Sequence, residues 1–403
     1  MSSEIQIFIL WEKAREKEAE LLEVIENKFE VLQTFSITWT PYLVSNNFTR
    51  FYGQSLPANS HKEIHCGSGE FRLIVVKDNH PKYEIRKTSK GNRTVNINMF
   101  DTKTQLRAIT DGGHKIHGTD NINETRHNIA MLLGMSLDDF LEKYSNRKED
   151  IKLKQDLVGT LGWESFEQLF YILNQCSDYI VLRNHQNINL KYFKNNSGDI
   201  DILSKDSMET KFILGDLKNV KNNHSKVLID ESIVLFEVDQ YGTNLICKDW
   251  EDEIFGTKIK SNHIYHPTKD NEMYLLIYHA LFFKNKLEDK HIKRILERYP
   301  EHFSSRDTLE IDLIKKLKNF LQKNDFKITP PNNGYFNFRP EFEKFYKKNK
   351  NRKSKVQKLF NRIINISIKN KDININLLTP IRKLVFIEVL IPYICTIRFK
   401  IGK

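Results

Sequence analysis

The sequence predicts an α+β protein in which two mixed α/β units precede a basic C-terminal tail. Three observations predict it. Short apolar runs alternate with amphipathic helical stretches from the start of the chain to about residue 145. A second such series runs from about 155 to 330 and ends in helices. Between Lys344 and Lys371 there are 11 Lys or Arg residues and no Asp or Glu.

In the first unit, 1–145, a strand is expected over Ile5–Trp11, then a helix with Leu21, Leu22, Ile25 and Phe29 on one face. A second strand follows at Phe35–Trp39, and Phe71–Val76 reads as a central strand. Asn123–Leu133 has helical spacing and stops at Gly134, a common helix terminator. The charged run Glu142–Asp150 marks a connector within 136–160. The second unit, 155–330, opens with a helix over Ser165–Asn174, and strands are expected at Tyr179–Leu182, Asp199–Leu203, Lys211–Leu214 and Ile233–Val238. After Pro267 the pattern turns helical, over Glu272–Lys284, Asp289–Arg298 and Thr308–Lys323. The third region, 335–403, is basic and then apolar.

A chain of 403 residues can bury more than one core, and 39% hydrophobic with 29% charged residues is a globular composition. Cys66, Cys176, Cys247 and Cys395 are far apart and form no CxxC pair, which argues against a disulfide framework or a zinc ribbon and for a reducing compartment. The N-terminal apolar run, about five residues, is too short for a signal peptide, so the expected location is the cytoplasm. The net charge of +11 equals the excess carried by 344–371. That concentration argues against a basic groove over the whole surface.

The chemical centre is expected in Ser197-Gly198-Asp199-Ile200-Asp201-Ile202-Leu203. Strand residues two apart share a face, so Asp199 and Asp201 present two carboxylates to one spot, while the aliphatics favour a buried strand. Paired oxygen ligands suit Mg²⁺ or Mn²⁺, and Ser197-Gly198 permits close approach of backbone to ligand. The segment, with Tyr179–Asn184 before it, resembles the nucleotidyltransferase-like superfamily over about 165–300. That resemblance implies a mixed sheet with a helical extension, catalytic metal on Asp199 and Asp201, and nucleotide binding by Ser197, Gly198 and Arg183. Where the superfamily has a Gly-Ser turn, this chain has His185-Gln186-Asn187-Ile188-Asn189. Asp239 is the expected third carboxylate, with Asp216 and Asp230 as rivals.

A second motif, Ile116-His117-Gly118-Thr119-Asp120-Asn121 followed by Glu124, resembles the active-site signature of nucleoside-diphosphate kinases. It implies a ferredoxin-like sandwich over 4–134, His117 as phosphoryl carrier, and phosphate binding by Arg86, Arg93 and Arg107. The plain structural alternative is that the glycines shape turns and Asp120-Asn121 caps the next helix. His61, His65 and Cys66 read as surface polar residues, and His279 as a packed helical histidine.

The tail interleaves Lys and Arg with Phe345, Tyr346, Leu359, Phe360 and Ile363, then runs apolar to Ile397. That pattern suits an anionic membrane surface over 344–400, with single-stranded nucleic acid as the weaker alternative. The function expected from the whole is a metal-dependent nucleotidyl- or phosphoryl-group transferase, peripheral to the inner membrane. It would use a nucleotide or nucleotide-activated donor and act on a glycan or lipid-linked acceptor in bacterial surface polysaccharide biosynthesis. The alternatives are an RNA-directed nucleotidyltransferase or toxin, and a non-catalytic nucleotide-binding module.

Overall fold

The first apolar run forms β1 (Glu4–Leu10), whose residues alternate between two buried faces of a sheet. A computed structural model describes residues 3–88, 91–144, 149–189, 198–217, 223–243, 246–284, 289–303, 310–330 and 336–346. The fold is mixed α+β. After β1 come α1 (Glu18–Glu26), β2 (Glu30–Thr38), α2 (Val44–Tyr52), α3 (His61–Cys66) and β3 (Phe71–Asp78). The hairpin of β4 (Tyr83–Thr88) and β5 (Gly91–Asn96) leads into α4 (Ile97–Ile109), β6 (Ile116–Gly118) and α5 (Ile122–Leu133).

With β7 (Ile151–Lys154), strands β1, β2, β3 and β6 build a five-stranded sheet of order β6-β1-β3-β2-β7, with β3 central as expected. β1 and β2 run antiparallel to β3, and β6 antiparallel to β1. Phe8, Leu10, Ile74 and Val76 face α1 and α4 through Leu21, Ile25, Met99 and Leu106. Ile7, Ile9, Leu73 and Val75 face the other way, onto Ile129 and Phe48. The segment expected as a connector instead carries α6 (Leu137–Tyr144) and β7 (Ile151–Lys154), the latter pairing parallel with β2. Leu137, Phe140 and Tyr144 are buried at helical spacing, an apolar stripe that the surrounding charges mask in composition.

The second sheet follows α7 (Phe166–Cys176), capped by the Ser165 hydroxyl accepting from the Gln168 N–H. Its strands are β8 (Tyr179–Val181), β9 (Asp199–Ser204), β10 (His224–Ile229) and β11 (Ser232–Gln240), in order β10-β11-β9-β8. β11 is parallel to β9, and the other neighbours are antiparallel. The expected strand at Lys211–Leu214 is the last turn of a helix, α8 (Ser207–Leu214). Asp206 caps it by accepting from the Glu209 N–H at 2.9 Å, and Gly215 ends it at φ +95°. Three apolar residues after a lysine have no period of their own, and the cap upstream decides their state.

One apolar core runs beneath both sheets, joining Ile200, Ile202, Phe236 and Val238 of the second to Ile7 and Ile9 of the first through α7 and α5. Met1–Tyr346 accordingly form one compact unit. Arg50 of α2, 2% exposed, ties α2 to α8 and to the turn at Thr160: its guanidinium donates to the Phe212 carbonyl at 3.2 Å, the Ile213 carbonyl at 2.6 Å and the Thr160 hydroxyl at 2.7 Å.

On the opposite face of the second sheet, Ile180, Leu182 and Leu203 are covered by a helical part. It comprises α9 (Lys248–Thr257), the short hairpin β12 (Ile259–Ser261) and β13 (Ile264–His266), α10 (Lys269–Phe282), α11 (Asp289–Arg298) and α12 (Glu310–Lys323). Phe336, Phe342 and Tyr346 pack against this same core, so the third region begins as part of it. The basic and apolar tail expected over 347–403 lies outside the described residues. Among the described residues no helix is long and apolar enough to cross a membrane.

Candidate functional site

In β9 the alternation is complete. Ile200 and Ile202 enter the core, so Asp199 and Asp201 share the opposite face. The parallel register sets Glu237 of β11 level with Asp201, and Leu235 level with Asp199. Since Val234, Phe236 and Val238 are buried in the same core as Ile200, Glu237 and Asp239 project beside the two aspartates. The hairpin then brings His224 of β10 directly opposite Glu237. Its two-residue turn, Asp230 at φ +43° and Glu231 at φ +60°, fixes that register.

Four carboxylates and an imidazole therefore share one patch of sheet. One ligand atom each from Asp199, His224 and Glu237 lies within 4.8 Å of the others, a separation at which one divalent ion could meet all three. Asp201 is placed differently. It is 5% exposed, and Arg183, just after β8, grips it with Nη2 to Oδ1 at 2.6 Å and Nε to Oδ2 at 3.1 Å. Burial raises the Glu237 carboxyl, helped by the charges of Asp201 and Asp199. Burial, with Glu237 and Asp201 nearby, pushes Asp239 up to about 7.

The patch lies where the helical cover ends. Leu203 and Ile180 are sealed under α9 and α10, whereas Leu235 is 41% and Ile233 68% exposed on the same face. The turn after β8 is also bound to the helices. Asn184 sits at φ +60°, and Arg298 donates to its Oδ1 at 3.3 Å, to Gln186, and to Glu272 at 2.5 Å. His185 stacks on His266 at 3.6 Å and faces Glu272 Oε1 at 3.4 Å. A largely buried ionic network thus holds the turn 184–187.

Of the expected site residues, Asp199, Asp201, Asp239 and Arg183 come together, although Arg183 is engaged with a carboxylate. Gly198 immediately precedes β9, and Ser197 lies outside the described residues. Asp216 accepts from the Lys226 N–H at 2.7 Å and Asp230 forms the hairpin turn, so neither rival joins the patch. Glu237 and His224 were not foreseen. The signal for Glu237 was its position two before Asp239 on one strand. For His224 it was the alternation of Ser225, Val227 and Ile229 about the turn.

His117 lies in the first sheet, on β6, with Nε2 2.9 Å from Asn128 Nδ2 and its ring edge-on to Phe51 at 5.2 Å. Arg107 stands nearby but gives Nε and Nη2 to the Ile116 carbonyl at 3.2 and 3.0 Å. Arg86 and Arg93 face each other on the β4–β5 hairpin, with Arg93 exposed. The capping role is also present: Asn121 Oδ1 accepts from the Asn123 and Glu124 N–H groups, and Glu124 accepts from the Asp120 N–H. The fold adds His114 to His61 and His65, with ring centroids 5.9 and 5.7 Å away. Cys66 is buried and bonded to the His114 carbonyl, not exposed as expected. The chain matches no family model, and comparison with curated proteins gives no match.

Proposed function

We propose that the protein is a metal-dependent nucleotidyl- or phosphoryl-group transferase whose active face is the acidic patch on β9, β10 and β11. The observation that carries this is the convergence of Asp199, Asp201, Glu237 and Asp239 on one face, with Glu237 and Asp239 both raised by burial. Burying like charges together is costly unless a cation compensates them. The donor set of Asp199, Glu237 and His224 fits a divalent ion. Such an ion, when bound, neutralises phosphate oxygens and stabilises the charge that develops at phosphorus.

The remaining work belongs to the chain. Arg183 fixes Asp201 at the patch. The ionic network of Glu272 and Arg298 holds the turn 184–187, which borders it. The open half of the face, past Leu235, leaves room for donor and acceptor. In the transfer a hydroxyl oxygen bonds to phosphorus as the bond to the leaving pyrophosphate or nucleotide breaks, and the hydroxyl proton passes to a carboxylate or to water.

The helix–strand–strand order of α7, β8 and β9, with β11 parallel to β9, supports a nucleotidyltransferase-like second unit. The order β6-β1-β3-β2, antiparallel throughout, supports a ferredoxin-like first unit with His117 as a second phosphate site. The acceptor class, a surface polysaccharide or lipid-linked glycan, and attachment of 344–400 to an anionic membrane rest on the sequence alone. The test is a panel of nucleoside triphosphates and nucleotide-activated sugars and polyols, assayed with Mg²⁺ and Mn²⁺ for release of pyrophosphate or nucleotide. Turnover by wild type that falls about 100-fold or more in Asp199→Asn supports the proposal. Turnover unchanged in that variant rejects it.

A further inference from the structure

The acids that converge on a point are not the pair adjacent in sequence. Both oxygens of Asp201 accept from Arg183, which already neutralises the carboxylate, so a metal ion there would compete with a bidentate guanidinium at a buried group. Asp199 is exposed and meets instead Glu237 and His224, one residue from each of three adjacent strands. The imidazole is no accident of rotamer, because its strand register is locked. A slip of one residue about the Asp230-Glu231 turn would turn Ser225, Val227 and Ile229 out of the core.

A nitrogen donor changes which ion fits. Mg²⁺ is hard, binds through oxygen and keeps much of its water, whereas imidazole is a ligand for first-row transition ions. We propose that Asp199, Glu237 and His224 form a mixed nitrogen–oxygen centre that selects a transition ion of the manganese or zinc class over Mg²⁺, with Asp201 a positioning residue outside the ligand set. This centre presupposes the metal-dependent transfer proposed above and narrows its cofactor.

The test uses the full-length protein, stripped with chelator and titrated calorimetrically with Mn²⁺, Zn²⁺ and Mg²⁺ alone. Pulsed electron paramagnetic resonance of the Mn²⁺-loaded protein then looks for nitrogen coupling. Mn²⁺ and Zn²⁺ are expected to bind about tenfold or more tightly than Mg²⁺, and the nitrogen coupling to be present. His224→Ala, with His224→Gln as a second variant, should weaken Mn²⁺ about tenfold, abolish the coupling and leave Mg²⁺ affinity unchanged. Asp201→Asn should retain Mn²⁺ binding and the nitrogen coupling, which loss of a ligand would not. Equal affinity for Mg²⁺ and Mn²⁺ without nitrogen coupling, or loss of Mn²⁺ binding in Asp201→Asn, overturns the mixed centre while leaving metal dependence standing. Failure of the wild type to bind any of the three ions overturns the metal-dependent reading itself.

Discussion

Arg183 neutralises Asp201 from within the chain, through paired bonds of 2.6 and 3.1 Å between the guanidinium and both carboxylate oxygens. The bridge is largely buried, with side-chain exposures of 16% and 7%. Removing the arginine leaves an uncompensated charge in the sheet. Arg183→Ala is expected to lower stability by about 3 kcal/mol in urea titration. In Asp201→Asn the same arginine change should cost markedly less. Equal losses in the two backgrounds would mean that the pair is not coupled.

The second prediction concerns acid stability. Burial acts to raise Glu272, but the approach of His185 at 3.4 Å and the bond and charge of Arg298 outweigh it and hold the carboxyl down at about 2, against 4.5 when unperturbed. The unfolded chain therefore binds the proton more tightly than the folded one. The stabilisation is fully present above pH about 4.5 and is lost as pH falls toward 2. It amounts to a few kcal/mol at neutral pH, on the order of 3. Glu272→Gln should lower the melting temperature at pH 7 and flatten its decline between pH about 4.5 and 2.

Glu251 behaves in the opposite sense. Burial pushes it up to about 7, although one oxygen accepts the Gly242 N–H at 2.7 Å. Folding then favours the protonated acid, so stability is greatest below pH about 4.5 and declines as pH rises toward 7. Glu251→Gln removes that decline. It should stabilise the protein at pH 8 by on the order of 2 kcal/mol and change little at pH 4.5. Differential scanning calorimetry at the two pH values distinguishes this from a uniform effect.

Arg50 joins α2 to α8, and among the described residues no carboxylate pairs with it; burial lowers its pKa to about 10. Its three acceptors are two carbonyls and a hydroxyl arranged around a planar fork. Lysine cannot reproduce that geometry. Arg50→Ala and Arg50→Lys should both destabilise by about 2–4 kcal/mol, and both sheets should lose hydrogen-exchange protection together. Rescue by lysine would show that charge alone matters there.

Much of this architecture was legible because period and caps are local. The face shared by Asp199 and Asp201 follows from strand alternation, and the helix ending at Gly134 from its terminator. Lys211–Leu214 failed because a short apolar run is ambiguous, and β7 because a four-residue edge strand hides among charges. The centre itself was half legible. His224 meets Glu237 only through a hairpin whose turn, Asp230-Glu231, lacks the glycine that usually marks left-handed positions. Arg183 read as a phosphate ligand because one sequence cannot reveal that its partner is a carboxylate 18 residues away.

On the proposed function, the acidic face binds a metal–nucleotide pair. The most direct measurement of that binding is isothermal titration of nucleoside triphosphates into the full-length protein with Mn²⁺, for wild type and for Asp199→Asn combined with Glu237→Gln. Asp199 is exposed and Glu237 half-buried on the open face, and both changes are isosteric, so the variant should melt within a few degrees, about 3 °C, of wild type. Metal-dependent binding in wild type that weakens at least about 30-fold in the variant is the predicted result. Equal affinity in the two proteins, or binding that persists unchanged when the ion is chelated, would contradict it.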